Sequence, residues 1–115
     1  MVSNMRTAQA ARALDAKLGR HPIQHEVKSW PELFEATLSG AKTHDMRRAT
    51  DRDYRVGDLL LLREFDPSRQ RYTGRELRTR ITYVTSAEFP CALSGGGLHP
   101  AYCILSLSRD VPTPQ

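Results

Sequence analysis

Leu59-Leu60-Leu61-Leu62-Arg63-Glu64-Phe65, followed beyond Asp66 to Gly74 by Arg75-Glu76-Leu77-Arg78-Thr79-Arg80-Ile81-Thr82-Tyr83-Val84-Thr85, decides what kind of domain this chain forms. Four consecutive leucines in a short run bounded by turn residues predict a strand buried on both faces, which Arg63 to Phe65 carry outward. The second segment alternates, with Leu77, Thr79, Ile81 and Tyr83 on one face and Arg78, Arg80 and Thr82 on the other, the period of a half-buried strand. Pro, Ser, Gly and Thr between Asp66 and Gly74 suit a hairpin loop. The centre of the domain is therefore an antiparallel hairpin.

Outward on the N-terminal side, Val56-Gly57-Asp58 reads as a turn, Thr50 to Tyr54 as a charged loop and Lys42 to Ala49 as a strand, one whose polarity would not reveal it alone. Ile23 to Ser29 predicts a strand leading into a short helix. Ser29 and Glu32 have capping-box spacing, and Pro31 is tolerated in the first turn. Leu33, Phe34, Thr37 and Leu38 supply one apolar face, and Gly40 is a helix stop. On the C-terminal side, Ser86 to His99 is a loop containing Gly95-Gly96-Gly97. Ala101 to Ser108 is a last strand with Cys103, Leu105 and Leu107 on one face. One short helix and about five strands give an α+β domain built on a closed or nearly closed barrel. Met5 to Leu18 carries Met5, Ala8, Ala11, Leu14 and Leu18 at helical spacings, the pattern of an accessory helix for the domain or a partner. The division is residues 1–22 for that helix and a linker, 23–109 for the domain and 110–115 for a frayed tail.

A length of 115 residues suffices for one modest core. The net charge of +4 is concentrated: Lys42 to Arg80 holds eleven basic residues, ten of them arginine, against seven acidic ones. Arginine suits planar, bidentate contacts to phosphate and base edges, so nucleic acid is the expected partner class, against the plainer reading of a solvated, salt-bridged sheet face. Cys91 and Cys103 form no CxxC pair. With no apolar leader and no run long enough to span a membrane, a reduced cytoplasmic setting is expected. The four histidines and two cysteines lack zinc-finger spacing. The glycine run precedes a strand and matches neither a Walker loop nor a dinucleotide fingerprint. No metal or cofactor is expected.

The segment Ser39-Gly40-Ala41-Lys42-Thr43-His44-Asp45-Met46-Arg47 resembles the G-x-K-x-x-E-x-R signature of ASCH domains, members of the PUA-like superfamily. His25-Glu26-Val27-Lys28 before the helix, Asp51 to Asp58, Leu61 to Asp66, Tyr72 to Glu76 and Ala101 to Leu107 extend the likeness in order, and are most similar to a bacterial and phage subfamily, the DUF3850 type. The resemblance covers His25 to Ser108 and implies a small mixed β-barrel of five to six strands. It also implies an RNA or modified-nucleoside ligand.

Asp45 and Arg47, two apart on a strand, share a face within roughly 7 Å of rise, and Lys42 sits at the turn beside them. A carboxylate flanked by two cations is held ionised with donors to spare for a ligand; equally, the three form a salt-bridge cluster closing the barrel. The resemblance places Lys42, Asp45 and Arg47 along the cleft, with Arg48, Arg52, Arg63 and Glu64 around them. His25 and Lys28 reach it from the first strand, and Tyr54 or Tyr102 is placed to stack on a base.

A hydrolase is the second reading. Small relatives that cleave the acyl amide of N4-acetylcytidine use a lysine and a threonine of this motif with a distant glutamate. Lys42 is kept, but Asp45 stands where the threonine would be and offers no hydroxyl nucleophile. Asp45 can instead serve as a general base on water, or pair with Glu64 in a metal-assisted ribonuclease site, giving Lys42, Asp45 and Glu64 as catalytic candidates. A protein-interaction module working through the Met5–Leu18 helix is the third.

Overall fold

The structure, a computed structural model, describes residues 21–90 and 96–109. The expected N-terminal helix, its linker up to residue 20, the tail from residue 110, and Cys91 to Gly95 lie outside them. The elements run β1 (Gln24–Ser29), α1 (Pro31–Leu38), β2 (His44–Arg48), β3 (Leu59–Asp66), β4 (Arg71–Ser86) and β5 (Tyr102–Ser108). One sheet of order β1-β3-β4-β5-β2 contains all five strands and curls into a half-barrel.

The central hairpin forms as its sequence dictates, with β3 and β4 antiparallel from Leu59 opposite Arg80 to Asp66 opposite Arg71. Leu60 and Leu62 turn inward and are fully buried, each removal from water stabilising the fold by about 1.5–3 kcal/mol. Leu59 and Leu61 stay partly exposed on the outer face, so β3 is buried on one face rather than both. The turn is also tighter than expected. β4 already begins at Arg71, and the connection shrinks to residues 67–70, where Asp66 Oδ1 accepts from the amides of Ser68 and Arg69.

Along β4, Thr79 and Ile81 face inward, and Thr79 Oγ1 donates to the Leu60 carbonyl at 2.8 Å. A register shift between Ile81 and Tyr83 then reverses the alternation. Val84 is buried and Tyr83 is exposed, contrary to the uniform period expected for that segment. A bulge inserts one residue into one strand and moves every later side chain to the other face.

β1 runs parallel to β3, with Gln24 beside Leu59 and Ser29 beside Glu64, and the α1–β2 excursion makes the crossover. α1 buries Phe34 and Thr37 against the sheet and packs Leu38 there, while Leu33 remains half-exposed. Its N-cap is Trp30, with no side-chain cap; Ser29 is instead the last, buried residue of β1, so the expected capping box does not form. Gly40 ends the helix at φ +88°, a conformation costly for a residue with a Cβ. β2 returns antiparallel to β5, where Cys103, Leu105 and Leu107 complete the core as their spacing predicted. The ladder leaves β1 and β2 as edges, so the expected barrel is open on one side. Among the described residues, no helix is long and apolar enough to cross a membrane.

Candidate functional site

Pairing with β5 sets Asp45 opposite Leu105 and Arg47 opposite Cys103, so both side chains share the face of those two buried residues. Lys42 is anchored just before β2 by its amide, which donates to the Ala36 carbonyl at 2.9 Å. Its Nζ donates to the His44 carbonyl and reaches Asp45 Oδ1 at 3.2 Å. Arg47 Nε donates to Asp45 Oδ2 at 2.6 Å. The carboxylate, on a residue 8% exposed, therefore holds a cation on each oxygen. Lys42, Asp45 and Arg47 thus form one ion-paired cluster, in which Asp45 and Arg47 line a small cleft and Lys42 lines none of the three hollows nearby.

Arg47 also reaches across the gap between the sheet edges. Its Nη2 donates to the Lys28 carbonyl at 2.6 Å, and Arg52 Nη2 donates to the Glu26 carbonyl at 3.1 Å. Glu26 and Lys28 are alternate residues of the edge strand β1, so their carbonyls would otherwise await a further strand. Two guanidinium groups satisfy acceptors there that a closed barrel would fill with backbone amides.

A groove of about 560 Å³ lies over this seam. Lys28, Arg47, Arg48 and Arg52 line it with positive charge, and Glu26 and Asp51 oppose them. Tyr54, Tyr72 and Tyr102 give it aromatic walls. The volume falls in the roughly 300–1,000 Å³ range of small-molecule sites. A hollow of about 370 Å³ adjoins it through Asp51, Arg52 and Tyr54. A smaller cleft of about 190 Å³ adjoins it through Lys28, Met46 and Arg47, with Trp30, Leu33 and Asp45 beyond.

The aromatic walls are held by neighbouring rings and cations. Tyr102 lies 5.7 Å from the Arg48 guanidinium, its cross-strand neighbour, and packs edge-on to His99. Tyr72 packs edge-on to Phe65 with the Arg63 guanidinium 4.0 Å from its ring, and Lys28 Nζ sits 4.3 Å from the Phe65 ring. Tyr54 is 6% exposed, its ring 4.8 Å from that of His25. Burial pushes its phenol above the ordinary 10.0, against the pull of Arg47 and Arg52, so the hydroxyl stays protonated near neutrality. Burial likewise raises the Cys103 thiol.

The other expected site residues lie elsewhere. His25 faces the interior, where its Nε2 pairs with Asp58 Oδ2 at 2.8 Å; Asp58 is fully buried and also accepts the amides of Ile23 and Arg55. Arg63 lies outside the groove, pairing with Glu76 at 3.0 Å and buttressing Tyr72. Glu64 lines none of the three hollows. Its Oε1 accepts from Thr73 Oγ1 at 2.7 Å and pairs with Arg75 Nε at 3.3 Å, so it shares no partner with Asp45. No group of three His, Cys, Asp or Glu side chains suited to a metal ion occurs among the described residues. Trp30, Met46, Asp51 and Tyr72 line the hollows without having been expected to. A lone aromatic, acidic or methionine side chain on a loop, at a strand end or on an edge strand gives a sequence no sign of which cleft it will face.

Residues 24–107 match the family model described as a domain of unknown function, DUF3850. No curated protein matches the chain.

Proposed function

The chain belongs to the DUF3850 family, and from that premise we propose that its open seam is a nucleic-acid site, taking RNA, another single strand or a modified nucleoside. The observation that carries the reading is the groove itself. Four cations converge on a hollow of about 560 Å³ that three tyrosines also line. Cations along a groove track a phosphate backbone, and aromatic faces stack on bases, a pairing that serves single strands better than a protein surface. The half-barrel with one helix after β1, and a Lys42–Asp45–Arg47 cluster on β2 and the turn before it, fit the finer reading of an ASCH barrel of the PUA-like superfamily.

Binding is favoured over hydrolysis because both Asp45 oxygens are engaged by Lys42 and Arg47, while Glu64 is engaged by Thr73 and Arg75. A carboxylate so occupied positions cations better than it takes a proton from water. The test is a binding panel of short single-stranded RNA, single-stranded DNA, duplexes and nucleosides at low salt, with mass spectrometry of any ligand that co-purifies. The expected result is binding to at least one single-stranded or nucleoside probe that weakens in Arg52→Ala. Failure of every probe to bind overturns the reading.

A further inference from the structure

The small cleft beside the groove is lined by an aromatic side chain that takes no part in the cationic seam. Trp30 is the only tryptophan of the chain, and it is 59% exposed at the junction of β1 and α1. Its carbonyl accepts the Phe34 amide at 2.8 Å, so the backbone beneath the indole is fixed while the ring meets solvent. Leu33, 50% exposed, and Met46, 54% exposed, stand in the same cleft. Its polar side is Asp45 with Arg47 and Lys28, and the last two also line the groove.

At about 190 Å³ the cleft is smaller than the roughly 300–1,000 Å³ of sites that take drug-sized ligands. It admits a flat ring system rather than a whole nucleotide. One side is lined by Trp30. The other offers the Asp45–Arg47 pair: the carboxylate keeps lone pairs beyond those taken by Lys42 and Arg47, and the guanidinium keeps N–H donors beyond those given to Asp45 and the Lys28 carbonyl, the two kinds of group that a base edge requires. Cations in the shared wall favour a polyanionic strand over an apolar peptide.

We infer that this cleft receives one unpaired base of the strand whose phosphates occupy the groove, with Trp30 as its stacking surface. The inference rests on the nucleic-acid reading and narrows it to single-stranded or locally unpaired ligands, since a base held in a duplex cannot present its face and edge to such a recess. Arg47, lining both hollows, sits where the base meets its own backbone.

Because the chain has one tryptophan, emission excited at wavelengths beyond tyrosine absorption reports on Trp30 rather than on the tyrosines of the groove. Eight-nucleotide RNA homopolymers, titrated at low salt, are expected to quench it, and a blunt RNA duplex of the same length is not. Anisotropy of labelled RNA is expected to give about tenfold weaker binding for Trp30→Ala, with most of the loss recovered in Trp30→Phe. The slope of affinity against salt should stay unchanged in both, because no phosphate contact is removed. Salt-dependent binding with no quenching and full affinity in Trp30→Ala overturns the inference and leaves the groove reading standing. Absence of salt-dependent binding to any strand removes both. The wild-type quenching experiment decides the matter even if a Trp30 variant folds poorly.

Discussion

Replacing Asp45 with alanine removes the carboxylate shared by Lys42 and Arg47, and its cost can be worked from the geometry. The side chain is 11% exposed, and its partners Lys42 and Arg47 are 18% and 23% exposed, so the three charges are shielded but not fully dry. Each charge-assisted hydrogen bond stabilises by about 1.5–3 kcal/mol. Both cations retain a route to water, and Arg47 keeps its bond to the Lys28 carbonyl, which places the total near the low end, at about 2–3 kcal/mol. For a domain of this size each kcal/mol moves the melting temperature by about 4–8 °C, so Asp45→Ala should melt about 10–20 °C lower. Asp45→Asn, which keeps one acceptor without the charge, should fall between. A double-mutant cycle with Arg47→Ala should return a coupling of about 1–2 kcal/mol, because the pair shares one short hydrogen bond. Thermal unfolding followed by circular dichroism measures all of these. A shift under about 2 °C for Asp45→Ala would refute the view that this carboxylate organises the seam. A wild-type melt with hydrolytic turnover lost in Asp45→Asn would identify it as a catalytic base instead.

Two further outcomes follow from the interior. His25→Ala removes the side-chain partner that meets the fully buried Asp58 at 2.8 Å, and should cost about 3 kcal/mol in urea denaturation; a loss below about 1 kcal/mol would contradict the pairing. Tyr54 and Cys103 have folded-state pKa values raised by burial above the ordinary 10.0 and 9.0. The unfolded chain therefore loses these protons first. Their contribution is complete below those ordinary values and is lost as pH rises through the raised ones, so the urea midpoint should fall above roughly pH 9, and less steeply in Tyr54→Phe and Cys103→Ala. An identical alkaline slope in both variants would contradict that assignment.

What could be read from the sequence was whatever depends on local period and local chemistry. The apolar run of β3, the alternating β5 and the helix between Pro31 and Gly40 emerged because burial imposes a period on neighbours. Lys42, Asp45 and Arg47 could be grouped because they lie within six residues of one another. The bulge after Ile81 could not be read, since Thr82, Tyr83 and Val84 are all good strand formers and the reversal of faces comes from pairing with β5. The His25–Asp58 pair spans 33 positions and depends on the parallel docking of β1 on β3, a contact without local imprint. The same docking leaves the Glu26 and Lys28 carbonyls on a free edge, which turns Arg47 and Arg52 from surface charges into the closure of the seam. Trp30 becomes the wall of a cleft only through the position of β2, which its own sequence neighbourhood does not indicate.

In the function we propose, the groove binds a nucleic-acid backbone through Lys28, Arg47, Arg48 and Arg52. The most direct measurement is the slope of log affinity for a short single-stranded RNA against log salt concentration. Three to four phosphate contacts predict a slope of about −2 to −3, becoming shallower by roughly 0.7 in Arg52→Ala. A slope near zero, or one that Arg52→Ala leaves unchanged, would contradict the account.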